Sequence, residues 1–169
     1  SLKPGGYAST FLGGLGDIGS GKWRPAFSSS VSFALDIFHG DYRGYVAING
    51  LLFFLIVFLA LRLSSTPQNR GLVQQIIVTF ALVSCPFVWY STWSPFGLME
   101  LGALASLLAS LLLFRSGLDE SIASRHWWSA SLVMLATTFH ERYLIAVIPM
   151  ALVVAVSGGT RKLVRRLLP

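Results

Sequence analysis

Five stretches of mainly apolar residues follow one another along this chain, separated by short polar or basic segments. The stretches cover residues 46–61, 72–90, 96–114, 127–139 and 143–157. A helix needs about 20 apolar residues to cross a bilayer, with a range of about 17–25. The second and third stretches have that length, the first reaches it if residues 42–45 are added, and the last two are short. The pattern predicts an all-α, polytopic transmembrane bundle of about five spans over residues 46–157.

Residues 1–45 precede the first span and have a different character. The first 26 residues are rich in glycine and serine, which favours a loop. Apolar residues then recur at positions 27, 31, 34, 35 and 38, which is a helical spacing. This amphipathic helix, at about 27–38, is too short to span a bilayer. We expect it to lie at the membrane interface and to dock against the other helices.

The composition supports a membrane protein. The chain is 54% hydrophobic and 12% charged, whereas soluble domains contain about 25% charged residues. The net charge of +6 does not indicate a nucleic-acid partner, because the basic residues lie at the ends of apolar runs and form no stripe. The single cysteine, Cys85, excludes an internal disulfide, and no metal-ligand spacing occurs.

The placement of lysine and arginine predicts the orientation. If the spans alternate from an outer start, the inner segments are 62–71, 115–126 and the basic tail 158–169. These segments carry eight of the thirteen lysine and arginine residues, as the positive-inside rule requires of the cytoplasmic side. Residues 1–45 and the turns near Trp93 and Glu141 are then extracytoplasmic. Within the second span, we expect Pro86 to bend the helix.

The sequence HER, residues 140–142, stands between the last two apolar stretches. Ionisable side chains at membrane depth are costly and tend to mark functional sites. A His/Arg pair beside a carboxylate suits a phosphate group, because arginine offers a planar fork of donors and histidine adds a hydrogen bond. The predicted topology places other charged residues on the same face. The candidate site residues are Asp17, Lys22, Arg24, Glu100, His140, Glu141 and Arg142.

Each candidate also has a purely structural interpretation. Glu141 and Arg142 can pair with each other. Glu100 lies near the start of the third span, where the helix dipole favours a carboxylate. Lys22 and Arg24 can meet lipid headgroups, and Asp17 can be a turn residue in the glycine-rich loop.

Several short motifs follow one another in a definite order. They are Arg24-Pro25 before the amphipathic helix, Phe38-His39-Gly40 after it, Tyr45 and Asn49 in the first span, Glu100 in the third, and His140-Glu141-Arg142 ahead of an apolar run with Pro149. This order, over residues 22–157, resembles the GT-C superfamily of membrane glycosyltransferases. The form HERYL is similar to the His-Glu-basic motif of polyprenyl-phosphate-dependent glucosyl- and mannosyltransferases.

The resemblance implies an enzyme that transfers sugar from a polyprenyl-phosphate sugar to a hydroxyl of a glycan, lipid or protein acceptor. Transfer would occur on the extracytoplasmic face of a multi-pass protein in the bacterial inner membrane or an equivalent membrane. Asp17 would be the catalytic base, since the family carries its base in the first outer loop. Substrate binding would fall to Lys22, Arg24, Glu100, His140, Glu141 and Arg142, with the cations at the phosphate and Glu100 or Glu141 orienting a basic side chain or the sugar.

The chain also departs from this family. The family's first span and paired acid are missing, so we expect a fragment, with a base upstream of Ser1 as the alternative to Asp17. No cofactor is predicted, although an Asp/Glu–Mg²⁺ site is left open. A second class of function is a non-catalytic membrane protein: a lipid-phosphate-binding subunit, a flippase or a transporter.

Overall fold

The computed structural model describes residues 24–39, 41–65, 71–94, 97–120 and 122–156, and within these ranges every regular element is a helix. The elements are α1 (Pro25–Phe38), α2 (Tyr42–Ser64), α3 (Leu72–Val83), α4 (Pro86–Trp93), α5 (Gly97–Glu120), α6 (Ala123–Phe139), a 3₁₀ segment (Glu141–Ala146) and α7 (Val147–Val156). The predicted all-α class is confirmed for the described residues. The predicted basic tail 158–169 lies outside them, as do Asp17 and Lys22.

Two of the described helices are long and apolar enough to cross a membrane. They are α2, with a mean hydropathy of 2.4, and residues 97–118 of α5, with a mean hydropathy of 1.9. At 1.5 Å per residue both exceed the hydrocarbon thickness of about 30 Å. A third candidate exists if α3 and α4 are counted as one span. The described part of the chain therefore has two or three candidate spans.

The predicted bend at Pro86 is confirmed. Helix α3 ends at Val83, α4 begins at Pro86, and the two axes differ by 55°. Cys85 is extended, with φ −74° and ψ 115°, because the residue before a proline is disfavoured in the helical region. The predicted second span is thus two short helices that meet at a corner.

The segments predicted as the fourth and fifth spans form helices at or below the lower limit of about 17 residues for a bilayer crossing. Helix α6 begins at Ala123 and has 17 residues. The next apolar segment begins with six residues of 3₁₀ helix before the 10 residues of α7. A 3₁₀ helix is tighter than an α-helix and is used in short pieces. This part of the chain is therefore two short helices joined by a turn at His140 and a 3₁₀ segment.

Helices α5 and α6 pack antiparallel along their whole length. A Cβ on Gly117 would contact the ring of His126, and one on Gly102 would contact the ring of Phe139. Midway, Ser110 Oγ donates to the carbonyl oxygen of Ser129 at 2.9 Å, and Ser129 Oγ donates to that of Ser110 at 3.0 Å. Small residues allow this close approach, as they do in membrane helix pairs generally.

Helix α2 packs parallel to α5 on a different side of it. Ile56, Leu101 and Ala105 form the buried core between them. Asn49 of α2 lies beside Gly97 at the start of α5. Arg115 of α5 donates to the carbonyl oxygen of Leu63 near the end of α2, at 2.7 Å.

These directions give the bundle two distinct ends. The first, which we call the Glu100 end, holds the N-termini of α2 and α5 and the C-terminus of α6. The second, the Arg115 end, holds the C-terminus of α2 and the N-terminus of α6. The 14-residue α1 packs against α2, α5 and α6, and its first residue, Pro25, is buried.

Candidate functional site

The candidate site begins with the first turn of α5. Glu100 lies in that turn, and its side chain is 14% exposed. The helix dipole favours a carboxylate at this position. A mostly buried carboxylate still needs a charged or hydrogen-bonding partner, and in this structure the partner comes from another part of the chain.

Arg142 is that partner. Helix α6 ends at Phe139, and His140 is extended with φ −154° and ψ 119°, so the chain turns before the 3₁₀ segment starts. This turn carries Arg142 back over the start of α5. Its Nη2 donates to Oε2 of Glu100 in a hydrogen-bonded ion pair. A charge-assisted pair of this kind is stronger than a neutral hydrogen bond.

His140 completes a cluster of three ionisable groups. Its Nε2 lies 3.8 Å from Oε1 of Glu100, and its side chain is 13% exposed. Its Nδ1 accepts a long hydrogen bond of 3.4 Å from the backbone N–H of Arg142. Because Nδ1 is the acceptor, the neutral tautomer carries its proton on Nε2, the nitrogen that faces Glu100.

Two aromatic rings flank the guanidinium of Arg142. Its Cζ lies 5.7 Å from the ring centroid of Phe87 on α4 and 5.7 Å from that of Tyr143. Both distances are within the range of cation–π interactions. The Arg142 side chain is nevertheless 50% exposed. Arginine has five N–H donors and a carboxylate engages at most two of them well, so this group can accept a further anion.

Arg24 lies close to the same turn of α5. It precedes the first residue of α1, and its Nη1 donates to Sδ of Met99 at 3.5 Å. A thioether sulfur is a weak acceptor, so this contact positions the guanidinium without neutralising it. Because Met99 is adjacent to Glu100, a second arginine borders the cluster.

The buried side chain of Asn49 fixes the turn that leads into Glu100. Asn49 is 1% exposed, and its Nδ2 approaches the carbonyl oxygens of Ser91 at 3.4 Å, Thr92 at 3.3 Å and Ser94 at 3.0 Å. Those carbonyls belong to the end of α4, where the helix supplies no donors. The amide thereby connects α2 to the segment just before α5.

The structure brings three of the seven candidates into direct contact and places a fourth nearby. Glu100, His140 and Arg142 form the cluster, and Arg24 borders it. Asp17 and Lys22 lie outside the described residues. The backbone of Glu141 belongs to the 3₁₀ segment, but the structure does not describe its side chain. Arg142 pairs with Glu100, which is 42 positions away, in addition to any contact with the adjacent Glu141.

Three contributors were not predicted as parts of the site. Phe87 and Asn49 act across 55 and about 45 positions of sequence, and no local pattern reveals such contacts. Tyr143 could have been suspected, since an aromatic residue adjacent to Arg142 is well placed to stack on it. In the described part of the chain, no group of three His, Cys, Asp or Glu residues is arranged to hold a metal.

No family model, curated protein or solved structure matches this chain. The geometry of the cluster therefore carries the functional argument by itself. It is a half-exposed arginine held by a nearly buried glutamate, with a histidine, a second arginine and two aromatic rings around it. The open side of the Arg142 guanidinium presents N–H donors that suit an anionic ligand.

Proposed function

We propose that this chain functions as an integral membrane glycosyltransferase of the GT-C type. In this proposal it transfers a sugar from a polyprenyl-phosphate donor to an acceptor hydroxyl, and the Glu100 cluster holds the donor phosphate. The observation that carries the proposal is the convergence of Glu100, His140 and Arg142, from the start of α5 and the turn after α6, around an accessible guanidinium.

The proposal includes a membrane arrangement. The chain crosses the bilayer about five times, α1 lies at the interface, and the Glu100 end is extracytoplasmic. The parallel packing of α2 with α5, and the antiparallel packing of α6, support an alternating path. At about 21 Å, α1 is too short to cross a bilayer. The half-exposed side chains of Phe33 and Ile37 on α1 suit contact with lipid.

Each residue has a role in the proposed reaction. Negative charge develops on the phosphate as the bond to the sugar breaks, and positioned cations stabilise that charge. Arg142 and Arg24 supply this stabilisation, with Lys22 as a further cation from the outer loop, and His140 positions the carboxylate of Glu100. Glu100 orients Arg142. Asp17 takes the proton from the acceptor hydroxyl, as a general base must, and Glu141 is left to contact the sugar.

A second candidate is a non-catalytic membrane protein that binds a lipid phosphate. One observation favours it: among the described residues, the only carboxylate in the cluster is Glu100, which is already paired with Arg142. A paired carboxylate is a poor base. The two candidates share the phosphate site and differ in whether sugar is transferred.

The first test replaces Arg142 with alanine and measures binding of a polyprenyl monophosphate to the purified protein. We expect affinity to fall by about tenfold or more, because a hydrogen bond to a charged group contributes about 1.5–3 kcal/mol. Arg62→Ala is the matched control. Arg62 is exposed at the Arg115 end and contacts Phe58, so its loss should change affinity by less than about twofold. Equal affinities for wild type and Arg142→Ala would contradict the proposed site.

The second test replaces Asp17 with asparagine and measures sugar transfer from a polyprenyl-phosphate sugar. Under the glycosyltransferase proposal, transfer is lost while binding of the lipid phosphate is retained. Full transfer by Asp17→Asn would show that another group is the base. Phosphate binding without any transfer by the wild-type protein would support the second candidate.

A further inference from the structure

The ion pair between Glu100 and Arg142 occupies the very group that the proposed phosphate site needs. Glu100 is 14% exposed and Arg142 is 50% exposed, so the carboxylate is fixed while the outer side of the guanidinium is open. An incoming lipid phosphate, with one negative charge in the sugar donor and up to two in the free monophosphate, competes with this carboxylate for the same planar fork of donors. Binding of the phosphate to Arg142 and the ion pair between Arg142 and Glu100 therefore oppose each other.

A second partner for Glu100 is already in place. His140 Nε2 lies 3.8 Å from Oε1, the oxygen that does not receive the hydrogen bond from Arg142. A shift of about 1 Å would bring that pair to normal hydrogen-bond length. If Arg142 leaves, the carboxylate can turn to His140 and need not remain buried without a partner.

The backbone on the arginine side is suited to movement. Arg142 lies in the 3₁₀ segment Glu141–Ala146, between an extended His140 and the start of α7. The hydrogen bonds of a 3₁₀ helix have poorer geometry than those of an α-helix, so this segment is held less firmly by its own backbone. Leu144 and Ile145 in this segment are 60% and 71% exposed, so few packed contacts oppose a change there.

We propose that the Glu100–Arg142 ion pair is a ligand-displaceable latch. The phosphate group of the lipid takes Arg142 from Glu100, Glu100 moves to His140, and the 3₁₀ segment is released from the start of α5. This inference rests on the proposed function for the location of the phosphate. It adds that Glu100 opposes phosphate binding, although it belongs to the same cluster.

The test compares the two partners of the pair. Glu100→Gln keeps the shape of the side chain and removes its charge, so Arg142 becomes more available. We expect polyprenyl monophosphate to bind about two- to fivefold more tightly, the range that corresponds to a partly exposed ion pair. Arg142→Ala should have the opposite effect and lower the affinity for polyprenyl monophosphate. A structural pair that only supports the site predicts weaker binding for both variants.

Asp41→Asn is the matched control for charge. Asp41 caps α2 at the Glu100 end and accepts a hydrogen bond from the backbone N–H of Arg43 at 2.9 Å. Asparagine caps a helix as well as aspartate does, so this variant removes one negative charge from the same end and leaves the latch intact. Its affinity should stay within about 1.5-fold of wild type, because exposed charges interact weakly across solvent. A gain equal to that of Glu100→Gln would attribute the effect to overall charge and overturn the latch.

A measurement on the wild-type protein gives an independent result if Glu100→Gln does not fold. A carbodiimide with an amine nucleophile modifies accessible carboxyl groups, and mass spectrometry reports the extent at Glu100. Polyprenyl monophosphate should increase modification of Glu100, whereas uncharged polyprenol should not. Unchanged or reduced modification with the phosphate overturns the latch. If Arg142→Ala retains full affinity, the proposed phosphate site itself fails, which is a distinct outcome.

Discussion

Glu100 illustrates what a single residue reveals before and after folding. Sequence alone offers it two roles, as a carboxylate at a helix N-terminus and as a partner for a basic side chain. The structure combines them, since Glu100 lies in the first turn of α5 and receives a hydrogen bond from Arg142. The first role, at a helix N-terminus, can be predicted from the sequence because it depends only on neighbouring residues. The second depends on a contact across 42 positions, whereas the sequence offered the adjacent Glu141 as an alternative partner of Arg142.

The first prediction for a single residue concerns the contribution of Asn49 to stability. In Asn49→Ala the carbonyl oxygens at the end of α4 lose their buried donor, which costs about 1–3 kcal/mol. We expect the midpoint of thermal unfolding in detergent to fall by about 2–10 °C. The midpoint can be measured by following intrinsic tryptophan fluorescence during heating.

Ser106→Ala is the control for Asn49→Ala. The hydroxyl of Ser106 donates to the carbonyl of Gly102 within its own helix, at 2.8 Å, and that carbonyl keeps its helical hydrogen bond. The midpoint should change by less than about 2 °C, as is usual when no long-range contact is lost. Equal effects of the two variants would refute the bracing role of Asn49.

At the scale of elements, the corner between α3 and α4 shows how local and distant causes combine. Pro86 ends the first helix and starts the second, so the break is a local property. What keeps the corner in place is tertiary. Trp89 Nε1 donates to the carbonyl of Val83 across the break, and Tyr42 of α2 donates from its hydroxyl to the carbonyl of Trp93. Phe87, the second residue of α4, lies just after this corner and contacts the guanidinium of Arg142.

The close packing of α2, α4 and α5 around Gly97 predicts that a larger residue at this position destabilises the fold. A Cβ on Gly97 would overlap the carbonyl oxygen of Ser91 and crowd Nδ2 of Asn49. Gly97→Ala should therefore force the elements apart and destabilise the fold by about 1–3 kcal/mol. Because Glu100 follows three residues later, affinity for the lipid phosphate should fall as well.

Gly50→Ala is the contrasting variant. Gly50 lies within α2, and a Cβ there would have no heavy atom within 4 Å. Alanine is favoured over glycine in a helix by up to about 1 kcal/mol. We expect its unfolding midpoint to rise or stay unchanged. A destabilised Gly50→Ala beside an undisturbed Gly97→Ala would contradict the described packing.

At the scale of the whole molecule, the helix directions sort the charged groups to two ends. Glu100, His140, Arg142 and Arg24 gather at one end. Arg62 and Arg115 lie at the other, where Arg115 caps the end of α2. Large apolar side chains on the outside of the bundle are exposed, including Leu51 and Phe54 at 70% and 71%. Such a surface suits a lipid environment better than water.

The proposed topology predicts a pattern of chemical accessibility. Single cysteines are placed in a Cys85→Ser background, because Cys85 is the only native cysteine. Arg43→Cys, exposed at the Glu100 end, should react with a membrane-impermeant maleimide in intact cells. Ser124→Cys, exposed at the Arg115 end, should react only after permeabilisation. Reaction of both from the same side would refute the alternating arrangement, and the reverse pattern would refute the proposed orientation.

Sequence alone predicts the helical class, the apolar segments, the break at Pro86 and the unusual charged residues. These are local properties, since helix formation, proline geometry and the rarity of charge among apolar residues can be recognised within a few turns of chain. Only the tertiary structure decided that Arg142 pairs with Glu100, that Phe87 flanks it and that Asn49 holds the turn ahead of it. Such contacts depend on how whole helices pack, and the free energy of packing is shared by residues far apart in sequence.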